Sequence, residues 1–197
     1  MGFSAQFGEI YNSTTDNSFN HWATAFHSQY SLKEEAKIKF QFTHYDYPNS
    51  VDDAGNPVEH INMGAYGFNT YQVASSASTF SLGLSYEYKV DWGPISSLTF
   101  YDDYSYMHKY GSIEILGRDY EFVDSHQNIL GFMVTAGNTF TFFDIASGIN
   151  QPWLSSAFGG NALSSGRGEN VEEAVGVTEE GMLNPPLANP TINTRFN

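Results

Sequence analysis

Residues 79–107 constrain this chain more than any other stretch. Phe80, Leu82, Leu84, Tyr86, Tyr88 and Val90 alternate with Ser81, Gly83, Ser85, Glu87 and Lys89. Trp92, Gly93 and Pro94 make a tight turn, and a second arm sets Leu98, Phe100, Tyr104 and Tyr106 against Thr99, Tyr101, Asp103 and Ser105. A period of two sends successive side chains to opposite faces of a strand. Two such arms, each with one apolar face ending in aromatics, predict a transmembrane β-hairpin.

The same period recurs along the chain. Residues 2–12 set Phe3, Ala5 and Phe7 against Ser4, Gln6 and Gly8, and residues 19–31 carry Trp22, Thr24, Phe26, Ser28 and Tyr30 on one side. Residues 36–47 set Ile38, Phe40 and Phe42 against Lys37, Lys39, Gln41 and Thr43. Pro48 ends that ladder because it has no N–H to donate. Residues 127–136 turn Leu130, Phe132 and Val134 toward lipid, residues 138–147 read as a seventh strand with Phe140 and Phe142 on its lipid row, and residues 191–197 begin another.

Loop lengths orient the strands. The connections at residues 32–35, 92–95 and 136–138 are short, whereas 48–78, 108–126 and 148–190 are long. Outer-membrane barrels alternate short periplasmic turns with longer outer loops. A spanning strand within residues 64–73 would invert that alternation for everything after it. Residues 48–78 are therefore read as one outer loop able to fold inward over the pore, residues 108–126 as a charged outer loop, and residues 148–190 as a long flexible one.

Composition agrees with this pattern. Aromatics reach 16% while hydrophobic residues are only 41%, as expected when alternate strand positions face lipid. No apolar run approaches the length of a membrane helix. A net charge of −14, from 22 acidic against 8 basic residues, argues against nucleic acid, whose phosphates need cationic side chains. With no cysteine there is neither a disulfide framework nor a thiolate metal site. The expected fold is all-β: an antiparallel transmembrane β-barrel of outer-membrane type, incomplete, with about seven full strands plus a stub in one segment spanning residues 1–197. The first ten residues lack the basic and apolar regions of a signal peptide, and Asn197 falls in mid-strand, so the chain reads as a piece of a larger barrel.

At residues 97–107 and 135–148, and at the terminal Asn193, Thr194, Arg195, Phe196 and Asn197, the chain resembles Gram-negative porins, in the broad group that includes the phosphate-selective porin O and P family. The resemblance implies a bacterial outer-membrane barrel, usually trimeric, that passes small hydrophilic solutes by diffusion among lipid and lipopolysaccharide. The Lys and Arg ladder of phosphate-selective pores is not matched, since the strands supply only Lys37, Lys39 and Lys89.

In a pore the chemistry is electrostatic, because charge lining the lumen selects by sign. Lys37 and Lys39 near one periplasmic turn, and Glu87 and Lys89 near the next, are expected at similar height on one face. They form either a charged patch at the periplasmic mouth or a cross-strand ion pair holding register. Tyr101, Asp102, Asp103 and Asp144 are further pore-lining candidates. Asp102 and Asp144 fall on rows that otherwise face lipid, so either a β-bulge flips them to the lumen or they lie in the outer interface. His21 and His27 share a face but sit six residues apart, roughly 20 Å along a strand, too far for one metal. Neither a metal nor a cofactor is expected. No nucleophile elbow, phosphate loop or zinc-binding helix occurs, so an enzyme is not expected. The alternatives are part of a receptor-type transporter barrel, or a secreted soluble β-sandwich that binds ligand or acts as an adhesin.

Overall fold

Strands account for the regular structure in the computed structural model, which describes residues 1–13, 15–52, 54–64, 70–115, 118–151 and 192–196. In chain order they are β1 (Gly2–Asn12), β2 (Asn17–Ser31), β3 (Ala36–Asp46), β4 (His60–Gly64), β5 (Thr70–Ala74) and β6 (Ser76–Trp92). There follow β7 (Ile95–Tyr110), β8 (Ser112–Ile115), β9 (Arg118–Glu121), β10 (Ser125–Ala136), β11 (Thr139–Ile149) and β12 (Ile192–Phe196). Among the described residues there is no helix. Eight strands form one sheet in the order β1-β2-β3-β6-β7-β10-β11-β12, and every neighbouring pair is antiparallel. The fold is thus all-β and antiparallel. The sheet does not close on itself, and β1 and β12 are its edges.

Glycine sets the tight turns. Trp92 pairs with Ile95 across Gly93 and Pro94, and Ala136 pairs with Thr139 across Gly137 and Asn138. Gly93 has φ 63° and Gly137 φ 59°, while the second residue of each turn keeps a negative φ. Positive φ at the first central position alone is the signature of the type II′ hairpin turn, whose twist matches the strands.

Two long connections contain structure that strand alternation did not reveal. Within residues 48–78, β4 and β5 pair in a sheet of their own, and β6 begins at Ser76 rather than at residue 79. Within residues 108–126, β7 runs on to Tyr110, β10 starts at Ser125, and β8 and β9 make a second small hairpin. Neither hairpin joins the large sheet. Each adds two strands, so the parity argument survives. They escaped the sequence reading because strands of five and four residues are too short to show a convincing period. Of residues 148–190, Gly148 and Ile149 belong to β11 and residues 152–190 lie outside the described part, with the acidic pairs Glu172-Glu173 and Glu179-Glu180.

The sheet is polarised opposite to the way a water-soluble layer is built. On β6 the apolar row Phe80, Leu82, Leu84, Tyr86 and Tyr88 is between 41% and 53% exposed, and Ser81, Gly83, Ser85 and Glu87 between them are less so. The apolar face extends across neighbouring strands through Phe26, Phe40, Phe100, Leu130, Phe143 and Ile145, all exposed. The rings pack laterally: Phe26 on Phe40, Phe42 on Phe80, Phe100 on Phe132, and Phe132 on Phe143 at 5.1 Å. The buried hydrophobic residues among those described are Ala74, Ala77, Phe122 and Ala146, far short of a core that a two-layer domain would form.

Candidate functional site

The less apolar face carries most of the charged candidates, and the strand register arranges them in rows. One row runs Lys37, Ser85, Tyr101, Gly131, Asp144; the next runs Lys39, Gly83, Asp103, Ile129, Ala146. Toward the short turns come Glu87, Thr99, Met133 and Phe142, then Lys89, Ser97, Thr135 and Phe140. A cavity of ≈ 780 Å³ on this face is lined by Lys37, Lys39, Glu87, Tyr101, Asp103 and Asp144, so six of the eight candidates meet at one place.

Small residues let the carboxylates approach. A Cβ on Gly83 would lie 2.5 Å from Asp103 Oδ1 and 3.6 Å from Lys39 Cβ, so the carboxylate of Asp103 leans over Gly83 along its row toward Lys39. At Gly131 the neighbours are instead the Cβ and Cα of Asp144 and the Phe143 carbonyl oxygen, and Tyr101 Oη donates to Asp144 Oδ2 at 2.9 Å across that gap. The ring of Phe142 meets Tyr101 edge-on, with centroids 6.5 Å apart.

Three expectations need correction. Lys37, Lys39, Glu87 and Lys89 are not level: Lys39 pairs with Gly83, four residues from Glu87 and so roughly 13 Å along the strand. Lys89 falls beyond the first residue of β3, since Ala36 is already opposite Tyr86. The proposed bulges at residues 101–104 and 142–143 are absent, because the register runs unbroken through both, with irregularities confined to the turn ends at Lys89/Trp92 and Thr135/Ala136. Asp144 nonetheless reaches the charged face, because the whole row Phe140, Phe142, Asp144 lies there and Thr141, Phe143 and Ile145 take the other side.

Asp102 stays on the apolar face, apart from the other candidates. It stands between Leu84 and Leu130, and Asn128 Nδ2 donates to its Oδ1 at 2.6 Å. A second hollow of ≈ 780 Å³ on that side is lined by Leu84, Phe100, Leu130 and Phe143 as well as Asp102. Replacing Asp102 alone by Leu is expected to lower stability by about 1–3 kcal/mol, since the Asn128 amide loses its acceptor. Changing both residues to Leu should restore the wild-type midpoint or exceed it in urea unfolding. A single variant as stable as the double one would mean the pair contributes nothing.

A second cluster, unforeseen from sequence, forms at the end remote from the short turns. Asp124 accepts hydrogen bonds from Tyr106 Oη at 2.5 Å, His108 Nδ1 at 3.0 Å and the Lys109 amide at 3.1 Å. Lys109, on the opposite face and only 5% exposed, donates through Nζ to the Val123 carbonyl. Tyr104 Oη lies 2.6 Å from His126 Nδ1, and Ser78 Oγ sits between His44 Nδ1 at 2.8 Å and Tyr110 Oη at 3.2 Å. The two long connections meet here, where the Ser112 amide donates to Glu59 Oε2 at 2.6 Å. The available signal was the one-sided series Tyr104, Tyr106, His108, Tyr110, a run of aromatic and imidazole side chains at one strand end.

Partial burial pushes the Asp124 carboxyl up, but the hydrogen bonds from Tyr106, His108 and the Lys109 amide outweigh it and hold it below the usual carboxylate value. A depressed folded-state value contributes stability above the unfolded-state value, about 3.9, and loses it as pH falls through the folded one. The protection factor of the Lys109 amide, the intrinsic exchange rate divided by the observed one, should therefore fall below about pH 4 while the strand centres stay protected. Acceleration on raising the pH from neutrality, beyond the intrinsic base catalysis of exchange, would contradict this sign.

No family model, curated protein or solved structure matches the chain. Its function must be argued from these two faces.

Proposed function

We propose that this chain forms part of a Gram-negative outer-membrane β-barrel of the porin type, passing small hydrophilic solutes by diffusion. The observation that carries the reading is the inversion of the sheet: the aromatic and aliphatic face is the uncovered one. In water such a face costs on the order of 25 cal/mol for each Å² left exposed, and soluble antiparallel sheets bury it against a second layer. Among the described residues no such layer covers it. Lipid removes the penalty without a second layer, and the opposite face, with Lys37, Lys39, Glu87, Asp103 and Asp144, then lines water. Strands of 15, 17 and 16 residues at β2, β6 and β7 exceed the roughly 9–11 needed to cross. They project beyond the bilayer into the end that carries the Asp124 cluster.

Closure of the barrel, lipopolysaccharide contact and trimerisation belong to the same proposal. The test is single-channel recording of the purified protein in planar bilayers, with vesicle flotation beside it. Stepwise conductance is the expected result. Flotation without conductance would favour the receptor-type barrel, and a protein that stays monodisperse without detergent would sink both in favour of the soluble sandwich.

A further inference from the structure

Lys39 and Asp103 face each other across a strand that puts no side chain between them. The register sets Lys39 on β3 opposite Gly83 on β6, and Gly83 opposite Asp103 on β7. Their backbones are two strand spacings apart, roughly 10 Å. The next residues on that face of β6 are Ser81 and Ser85, so a trough floored by small residues runs along β6 between a cationic strand and an anionic one. From this trough we infer that the β3–β6–β7 wall binds a free α-amino acid as its zwitterion, with Asp103 receiving the ammonium and Lys39 the carboxylate. The inference deepens the pore reading and rests on it for how solute reaches this face.

Three features carry it. Asp103 Oδ1 leans over the bare Gly83 position, which Lys39 Cβ flanks from the other side, so both charges address the same space. Among the described residues the ion pair is that of His108 with Asp124, and neither Lys39 nor Asp103 takes part in one. Both are exposed, and a pair formed between them in water would be weak, so a solute carrying both charges can take its place. A cavity of ≈ 490 Å³ holds Lys39, Gly83 and Asp103 together with Gln41, Ser81 and Ser105, within the roughly 300–1,000 Å³ of small-molecule sites. The Ser81 and Ser105 hydroxyls lie 2.9 Å apart and, like the Gln41 amide, offer hydrogen bonds without a third charge.

The net charge of the wall does not enter, because each pole needs only its own local sign. Lys37 is two residues from Lys39 on the same strand face and reinforces the cationic side. Asp103 has Gly83 on one flank and Ile129 on the other. The position of Arg195, opposite Ala146, is three strands from Asp103, and Asp144 is on β11, beyond β10. A solute with one charge meets the opposing pole as well as the matching one: an anion drawn to Lys39 is repelled by Asp103, and a cation drawn to Asp103 is repelled by Lys39 and Lys37. A zwitterion laid across β6 satisfies both ends.

The test is calorimetric titration of the full chain in detergent micelles with three probes: glutamine, N-acetylglutamine, which lacks the ammonium, and glutamine amide, which lacks the carboxylate. Glutamine is expected to bind about tenfold tighter than either derivative, the worth of one hydrogen bond to a charged group. Asp103→Asn should remove its advantage over N-acetylglutamine, and Lys39→Gln its advantage over the amide. Gly83→Ala, whose Cβ would fall on the Asp103 carboxylate, should weaken glutamine binding in a chain that still folds. Equal or tighter binding of either derivative would overturn the inference, as would no measurable binding of glutamine to the wild-type chain, and neither result depends on a variant folding. Conductance without glutamine binding would overturn the inference and leave the pore reading standing. Preferential glutamine binding without conductance would do the reverse.

Discussion

Phe40→Arg should cost about 2–4 kcal/mol more than Phe40→Ala when folding is measured into lipid vesicles, a factor on the order of 30 to 900 in the equilibrium. Phe40 lies near the middle of β3, opposite Ser28 and Leu82 on the apolar face, and is 38% exposed. No acid stands next to it there to neutralise a guanidinium. An arginine at Leu84 or Leu130 would instead meet Asp102 directly across the ladder and would report a salt bridge as well as lipid. The alanine reference removes the lost ring packing from the comparison and leaves the charge. In water the same arginine would be nearly free, because half-exposed positions on a soluble sheet tolerate long charged side chains that keep their heads solvated. Gln41→Arg, one residue on and on the opposite face beside Thr43, should fold as well as wild type. Equal stability of the Phe40 variants in vesicles would end the case for a lipid-facing row.

The contrast between adjacent residues reflects how much of this fold could be read from the chain. β6, β7 and β10 alternate so regularly that Phe80, Leu98 and Leu130 fix their faces at once, and the short turns supply the orientation. β11 was set on the wrong face because Phe140, Phe142 and Phe143 place aromatics on both sides, so hydrophobicity alone gives no answer. The turn did hold the answer. A two-residue turn at Gly137 and Asn138 pairs Ala136 with Thr139, which forces Phe140 opposite Thr135 and onto the charged face. Register in a hairpin is set by turn length, and a one-residue error flips every side chain. Reading that connection as three residues is enough to misplace Phe140 and Phe142.

The parts of the site that were legible were identities, and the parts that were not were heights and partners. Lys37, Lys39, Asp103 and Asp144 do line one cavity, yet the Tyr101–Asp144 bond joins strands β7 and β11, which are separated by β10. Nothing in a strand period reports a contact that skips a strand. It occurs because Gly131 leaves a vacancy on the intervening strand. The Asp124 cluster was hidden for a related reason: its acid sits in a connection, residues 122–124, and its partners Tyr106 and His108 are 18 and 16 residues away in sequence, at the end of β7.

Gly131→Ala is accordingly expected to be the most damaging single-methyl change in the sheet, and Gly83→Ala among the mildest. A Cβ on Gly131 would fall 2.6 Å from Asp144 Cβ, 2.6 Å from the Phe143 carbonyl oxygen and 2.9 Å from Asp144 Cα. Backbone cannot swing aside as a side chain can, so β10 and β11 must separate or shift. Overpacking of this kind costs about 1–3 kcal/mol, and the movement also carries Asp144 away from Tyr101. At Gly83 the close atom is Asp103 Oδ1, the far end of a side chain that can rotate, and the next neighbour is at 3.6 Å. Neither glycine has a positive φ, so backbone strain does not confuse the comparison. Urea unfolding in micelles should separate the two variants, and faster hydrogen exchange confined to β10 and β11 should accompany the first. Equal midpoints would mean that the Gly131 gap is slack, and the bond across it would then not need a glycine to form.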